Sequence, residues 1–134
     1  MVDQREEVRE DYRQPTARER AILELLLSVQ TRGIEELRTQ LPHVRVARWN
    51  CGCASFNVEV DRTLASASQI TNSPAVEAFS KQRDDPQKAF ELLLWVTDGW
   101  LSGVEIVDYV DRHGDESPDE IPPPEDWQEP TARL

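Results

Sequence analysis

Two cysteines separated by one glycine are the residues of this chain whose types and spacing most suggest chemistry. Cys51 and Cys53 flank Gly52, just before a stretch in which apolar and polar residues alternate. A structural zinc site needs about four ligands, and neither His43 nor His113 stands at a recognised zinc-finger spacing from the cysteines. A redox pair usually has two residues between its cysteines and lies at a helix start. We therefore interpret this segment as a turn between strands and expect no metal ion or other cofactor.

His113 is a second candidate, because it lies among Asp108, Asp111 and Asp115. A carboxylate can orient an imidazole so that it acts as a general base. The surrounding segment contains glycine and proline, however, and is predicted to be exposed to solvent. The aspartates also do not follow the ligand order of a calcium-binding loop. We interpret His113 as an ordinary surface histidine.

Glu91 and Glu105 are acidic residues within the most apolar part of the sequence. The register expected around Asp98-Gly99 places them on opposite faces of a hairpin, so they do not form the paired carboxylates of a glycoside hydrolase. The sequence contains no G-x-S-x-G, Walker, dinucleotide-binding glycine or H-E-x-x-H pattern. We therefore expect that the protein is not an enzyme.

The charge of the chain is strongly acidic and unevenly distributed. The net charge is −11 over 134 residues, and residues 111–134, with eight acids and two arginines, contribute −6 of it. Nucleic acids and anionic membranes bind basic surfaces, so neither is an expected partner. A protein partner with a basic surface is favoured instead. The N-terminus "MVDQREEVREDY" has no apolar signal segment, and we expect a cytoplasmic protein.

Hydrophobic spacing predicts two N-terminal helices followed by strands. Thr16 and Glu19 have the spacing of a capping box at the start of "ARERAILELLLSVQ". A shorter helix is predicted within "TRGIEELRTQLPHV" and ends before Pro42, which cannot continue it. Alternating apolar residues predict strands at 43–47 and 56–61, and a further short strand is predicted at 75–79.

The segment "AFELLLWVTDGWLSGVEIVDYV" carries the strongest local signal. Asp98-Gly99 favours a type I′ turn between two apolar strands. With a regular register, Thr97 faces Trp100 and both faces of the hairpin are rich in apolar side chains. The hairpin is therefore predicted to lie at the centre of a sheet, and two helices can cover only one of its faces.

These elements predict an α+β fold in which N-terminal helices pack on an antiparallel, mainly meander sheet of four or five strands, followed by an extended acidic proline-rich tail. We assign residues 1–14 to a charged N-terminal segment and residues 15–110 to a single α+β domain. Residues 111–134 form the acidic tail, which can fold back on the domain.

Exposed tryptophans beside acidic residues are a common feature of protein-binding surfaces. The chain has four tryptophans, of which Trp49 precedes the cysteine turn and Trp100 follows the hairpin turn. Together with nearby acids they define the predicted partner-binding residues, which are Trp49, Trp100, Asp98, Asp108, Asp111, Asp115 and Glu116.

Three segments carry a resemblance to a known group of proteins: "CGCASFNVEVD", "LLLWVTDGWLSGVEIVDY" and "DESPDEIPPPEDW". They resemble small actinobacterial-type proteins of uncharacterised function that share a Cys-Gly-Cys turn, a "DG-x-LSxLE" hairpin and a Glu/Pro-rich ending. The resemblance covers roughly residues 20–127 and implies no activity. The α+β layout is similar to that of several bacterial immunity proteins, a similarity of architecture only.

The favoured function is a non-enzymatic, protein-binding module, most concretely an immunity- or antitoxin-like protein that occludes a basic partner surface. One alternative is a self-associating structural domain whose second sheet face is buried in a homodimer. Another is a small-molecule- or metal-binding module that uses the Cys51/Cys53 turn.

Overall fold

The computed structural model describes residues 11–50, 54–82, 84–85, 89–108 and 120–133. Two α-helices come first, α1 (Ala17–Leu26) and α2 (Ile34–Gln40). The strands are β1 (Val44–Arg48), β2 (Phe56–Val60), β3 (Val76–Phe79), β4 (Phe90–Thr97), β5 (Trp100–Asp108) and β6 (Thr131–Ala132). Short 3₁₀ turns span Leu41–His43 and Pro124–Asp126. This confirms the α+β class with an antiparallel sheet.

The sheet has six strands, in the order β1-β2-β5-β4-β3-β6, so the predicted count of four or five was wrong. The sixth strand is β6, which pairs with β3 through Val76↔Ala132 and Glu77↔Thr131. A strand of two residues is too short to show alternation, which explains why the sequence pattern did not indicate it. The topology is only partly a meander, because β2 lies beside β5 and not beside β3.

Helix α1 begins where the sequence predicts. The Thr16 hydroxyl accepts a hydrogen bond from the Glu19 N–H at 3.1 Å, and the Glu19 carboxylate accepts one from the Thr16 N–H at 2.8 Å. These reciprocal bonds satisfy two donors at the helix start and confirm the capping box. The guanidinium of Arg13 also donates to both oxygens of Glu19, at 2.7 and 3.0 Å.

Both helices pack on one face of the sheet, here called the inner face. Buried apolar side chains of α1 and α2 join those of all strands except β6 in a single core. In the central hairpin the inner-facing residues of β4 are Phe90, Leu92, Leu94 and Val96, which are between 0 and 7% exposed. Burial alternates strictly along β4, as expected of a strand with one face on the core.

The turn between β4 and β5 has the predicted backbone conformation. The pairing of the two strands beyond the turn differs from the predicted register. Asp98 and Gly99 have φ angles of +53° and +86°, as a type I′ turn requires. Thr97 pairs with Trp100 and Val96 with Leu101, but Trp95 then pairs with Gly103, so Ser102 is an extra residue in a β-bulge. The bulge moves every later residue of β5 to the face opposite the one predicted.

The bulge therefore sorts the hairpin into an apolar face and a mixed face. Val104 and Ile106 lie opposite Leu94 and Leu92 and join the inner face. Glu105 and Val107 lie opposite Leu93 and Glu91 on the other face. This second face carries Leu93, Trp95 and Val107 beside the two glutamates, so it is apolar in part. The prediction that Glu91 and Glu105 lie on opposite faces was wrong.

Chain segments cover both long edges of the sheet. At β1, the backbone groups of Arg13 and Val46 exchange two hydrogen bonds, of 2.9 and 2.7 Å. At β3, the residues that follow 119 return to the sheet, where Ile121 and Trp127 are each 3% exposed. Arg18 of α1 donates a hydrogen bond of 2.7 Å to the Ile121 carbonyl. The segment at Ile121 thus contacts α1, whereas β6 extends the sheet beside β3.

Within the residues that the structure describes, no helix has the length and hydrophobicity that crossing a membrane requires.

Candidate functional site

The face of the sheet opposite the two helices is the candidate site and is called the outer face. The strand register aligns the residues of this face in rows that run across neighbouring strands. One row consists of Asn57, Gly103 and Trp95, and the next consists of Glu105, Leu93 and Glu77. A third row contains the side chains of Val107, Glu91 and Phe79. Most of these side chains are partly exposed, in contrast to their buried neighbours on the inner face.

Trp95 and Glu105 form the central contact of the outer face. The indole N–H of Trp95 donates a hydrogen bond of 3.1 Å to Glu105 Oε1. Because the bulge at Ser102 places Glu105 opposite Leu93, the carboxylate comes within reach of the tryptophan two residues along β4. The bond orients both side chains and consumes the only polar donor of the indole.

Trp49 is held on the neighbouring part of the same face. Its indole N–H donates a hydrogen bond of 3.1 Å to the side-chain oxygen of Asn57. Asn57 pairs with Gly103, and Gly103 pairs with Trp95. Gly103, which is buried, therefore separates Asn57 from Trp95 in this row.

Three carboxylates share the outer face with these aromatic residues. Glu77, Glu91 and Glu105 all lie on the outer face, and the carboxylate of Glu77 lies 3.7 Å from the Arg133 guanidinium. Glu105 accepts its hydrogen bond from the Trp95 indole. The face combines aromatic surface with negative charge.

The structure places the predicted partner-binding residues in separate regions. Asp98 is exposed at the hairpin turn, and Trp100 beside it is partly exposed, with the Arg62 guanidinium 4.9 Å from its ring centroid. Asp108 is at the opposite end of β5, about 26 Å from Trp100 at the rise of an extended strand. Trp49 contacts Asn57, in the row that also contains Gly103 and Trp95. Asp111, Asp115 and Glu116 lie outside the described residues, as do Cys51, Cys53 and His113.

Sequence reasoning missed the pairing of Trp95 with Glu105, because a regular register separates these residues to opposite faces. A glycine inside a strand pattern often marks a bulge, and Ser102-Gly103 provides this signal in the middle of β5. The dipeptide indicates a local irregularity, although it does not show which residue is the extra one.

The described part of the chain contains no cluster of metal-binding side chains. No group of three or more His, Cys, Asp or Glu residues there could hold a metal ion. A cleft of about 480 Å³ lies between the start of α1 and the end of β1, lined in part by Arg13, Arg18, Glu19 and Arg48. Arg13 is paired with Glu19 there, and Arg18 with Ile121 and Glu120.

The fold and the outer face define an α+β protein with an open antiparallel sheet and an acidic aromatic surface. Comparison of the chain with protein-family models, curated proteins and solved structures finds no match. The resemblance to the actinobacterial-type group and the architectural similarity to immunity proteins therefore remain predictions.

Proposed function

We propose that this protein is a non-enzymatic binding module that occludes a basic surface of a protein partner, as an immunity or antitoxin protein does. The observation that carries the proposal is the outer face, where the partly exposed Trp95 is bonded to the carboxylate of Glu105, and Glu91 lies on the same face of the two central strands. Tryptophan is enriched among residues that dominate binding energy, and complementary charge accelerates association and suppresses wrong partners.

The net charge of −11 supports the same partner class. Self-association through the outer face is less favourable, because a twofold dimer brings the same patch of each protomer together. Glu91 and Glu105 would then face the carboxylates of a second copy, and like charges across an interface are repulsive.

The test begins with cross-linking in the native host and recovery of the partner with the tagged full chain. The recovered partner is then purified, and its dissociation constant is measured at increasing salt concentration. We expect a basic partner whose affinity falls as salt rises, and whose toxicity or activity is lost when the two proteins are co-expressed. Recovery of only acidic partners, or a partner whose activity is unchanged by this protein, would contradict the proposal.

A further inference from the structure

We infer that the outer face recognises arginine side chains, at a site formed by Trp95 and Glu105 and flanked by Trp49 and Asn57. The inference rests on the proposed function and specifies the chemical group of the partner that the site takes. It depends on which hydrogen-bonding groups of these side chains already have partners within the protein.

Trp95 and Glu105 together provide two kinds of contact for a cation. The indole N–H of Trp95 is bonded to Glu105, so a partner can contact only the aromatic surface of the ring. The ring face of tryptophan attracts cations more strongly than that of tyrosine or phenylalanine. Glu105 receives that one hydrogen bond, whereas a carboxylate has about four lone-pair sites. It therefore retains acceptor capacity for a guanidinium.

Gly103 leaves little room between the strands, because a methyl group added there would lie 3.2 Å from the Phe56 carbonyl oxygen, and Gly103 and Asn57 are both buried. The surface open to an incoming side chain is therefore that of Trp95 and Glu105, which are partly exposed. The neighbours of Gly103 on each side are Asn57, which holds the Trp49 indole, and Trp95, which contacts Glu105. Both indoles next to this row are thus held by side-chain hydrogen bonds, and one of them contacts a carboxylate.

Arginine fits this site better than lysine. A guanidinium is planar, stacks on aromatic rings and binds carboxylates through two parallel hydrogen bonds, whereas an ammonium group is a compact and strongly hydrated charge. The chain itself uses the same pairing at the hairpin turn, where the Arg62 guanidinium lies over the Trp100 ring.

The experiment follows the four indole N–H signals of the ¹⁵N-labelled full chain by NMR, assigned with single Trp→Phe variants. The probe is a short peptide in which arginine alternates with threonine, and its lysine and citrulline analogues are the comparisons. We expect saturable shifts of the Trp95 and Trp49 signals with the arginine peptide at millimolar concentration. The lysine peptide should bind more weakly than the arginine peptide, by about threefold or more. The neutral citrulline peptide should cause no shift.

Glu105→Gln removes the charge and keeps a hydrogen-bond acceptor for Trp95, and we expect it to weaken the arginine peptide about tenfold. Glu24→Gln, an exposed position on α1, makes the same change in net charge and should leave binding unchanged. Equal effects of the two variants, equal binding of lysine and arginine peptides, or no shift at Trp95 would each overturn the inference. Any of those results would overturn the arginine site and leave the proposed function to be judged by partner recovery from the host. If the arginine peptide binds but no basic partner is recovered, only the proposed function is refuted.

Discussion

The side-chain oxygen of Gln40 accepts a hydrogen bond of 2.9 Å from the backbone N–H of Leu101, which joins the end of α2 to the start of β5. The amide nitrogen of Gln40 donates to the carbonyl groups of Gly99 and Ser66, each at 2.9 Å. Gln40 is 0% exposed, so one buried side chain satisfies three backbone groups. This contact fixes the hairpin turn against the helices and thereby positions the outer face.

Replacement of this glutamine should be strongly destabilising. Gln40→Leu preserves the approximate volume but leaves buried backbone donors and acceptors without partners, and we expect a loss of about 3 kcal/mol in the free energy of unfolding. Urea denaturation measures the loss. Gln30→Leu, at an exposed loop position, is the control and should change stability by less than about 0.5 kcal/mol. Similar effects of the two substitutions would show that the Gln40 contacts contribute little.

The ion pair at the start of α1 predicts a pH dependence of stability. Burial by itself would raise the pKa of Glu19, but hydrogen bonds from Arg13 and Thr16 outweigh this effect and lower the pKa below its usual value. A lowered folded-state pKa stabilises the protein above the unfolded-state pKa, about 4.3, and this contribution is lost as the pH falls through the folded-state value.

Glu19→Gln should therefore lower the free energy of unfolding by about 1 kcal/mol at neutral pH. The difference from the original chain should shrink as the pH falls below the usual carboxyl pKa. Denaturation at several pH values tests this, with Glu24→Gln on the same helix as the control. A difference that is independent of pH would mean that the charge of Glu19 is not responsible.

The two glycines of the central hairpin should respond differently to alanine. At Gly99, an added Cβ would lie 2.2 Å from the Ser68 carbonyl oxygen, and φ is +86°. We expect Gly99→Ala to destabilise the protein by about 3 kcal/mol or more, since both strain and overpacking oppose it. Gly103→Ala, whose closest approach is 3.2 Å, should cost about 1 kcal/mol. Thermal unfolding compares the pair, and the reverse order would contradict the described turn.

Trp127 should contribute to the core although it lies near the end of the chain. Its side chain is 3% exposed, and its indole N–H donates to the Pro122 carbonyl at 2.9 Å. Trp127→Ala should reduce stability by about 3–5 kcal/mol. Leu64→Ala removes another large apolar side chain, but Leu64 is 60% exposed, so its effect should be below about 0.5 kcal/mol. Calorimetry that shows no loss for Trp127→Ala would place this segment outside the cooperative core.

Part of the candidate site could be anticipated from the sequence. Trp49 was among the predicted partner-binding residues, and it lies on the outer face beside Asn57. Trp95 and Glu105 were missed because their proximity depends on one extra residue, Ser102, in β5. A bulge of this kind reverses the facing of every residue after it, so a small error in register exchanges the two faces of a strand.

The sequence by itself determined the features that depend on neighbouring residues. These include the capping box of Thr16 and Glu19, the end of α2 near Pro42, the alternating strands and the Asp98-Gly99 turn, because each arises from interactions between residues a few positions apart. Only the tertiary structure decided the bulge, the placement of β2 beside β5 and the addition of β6. Those features arise from contacts between residues far apart in the chain, and such contacts leave no periodic pattern in any single segment.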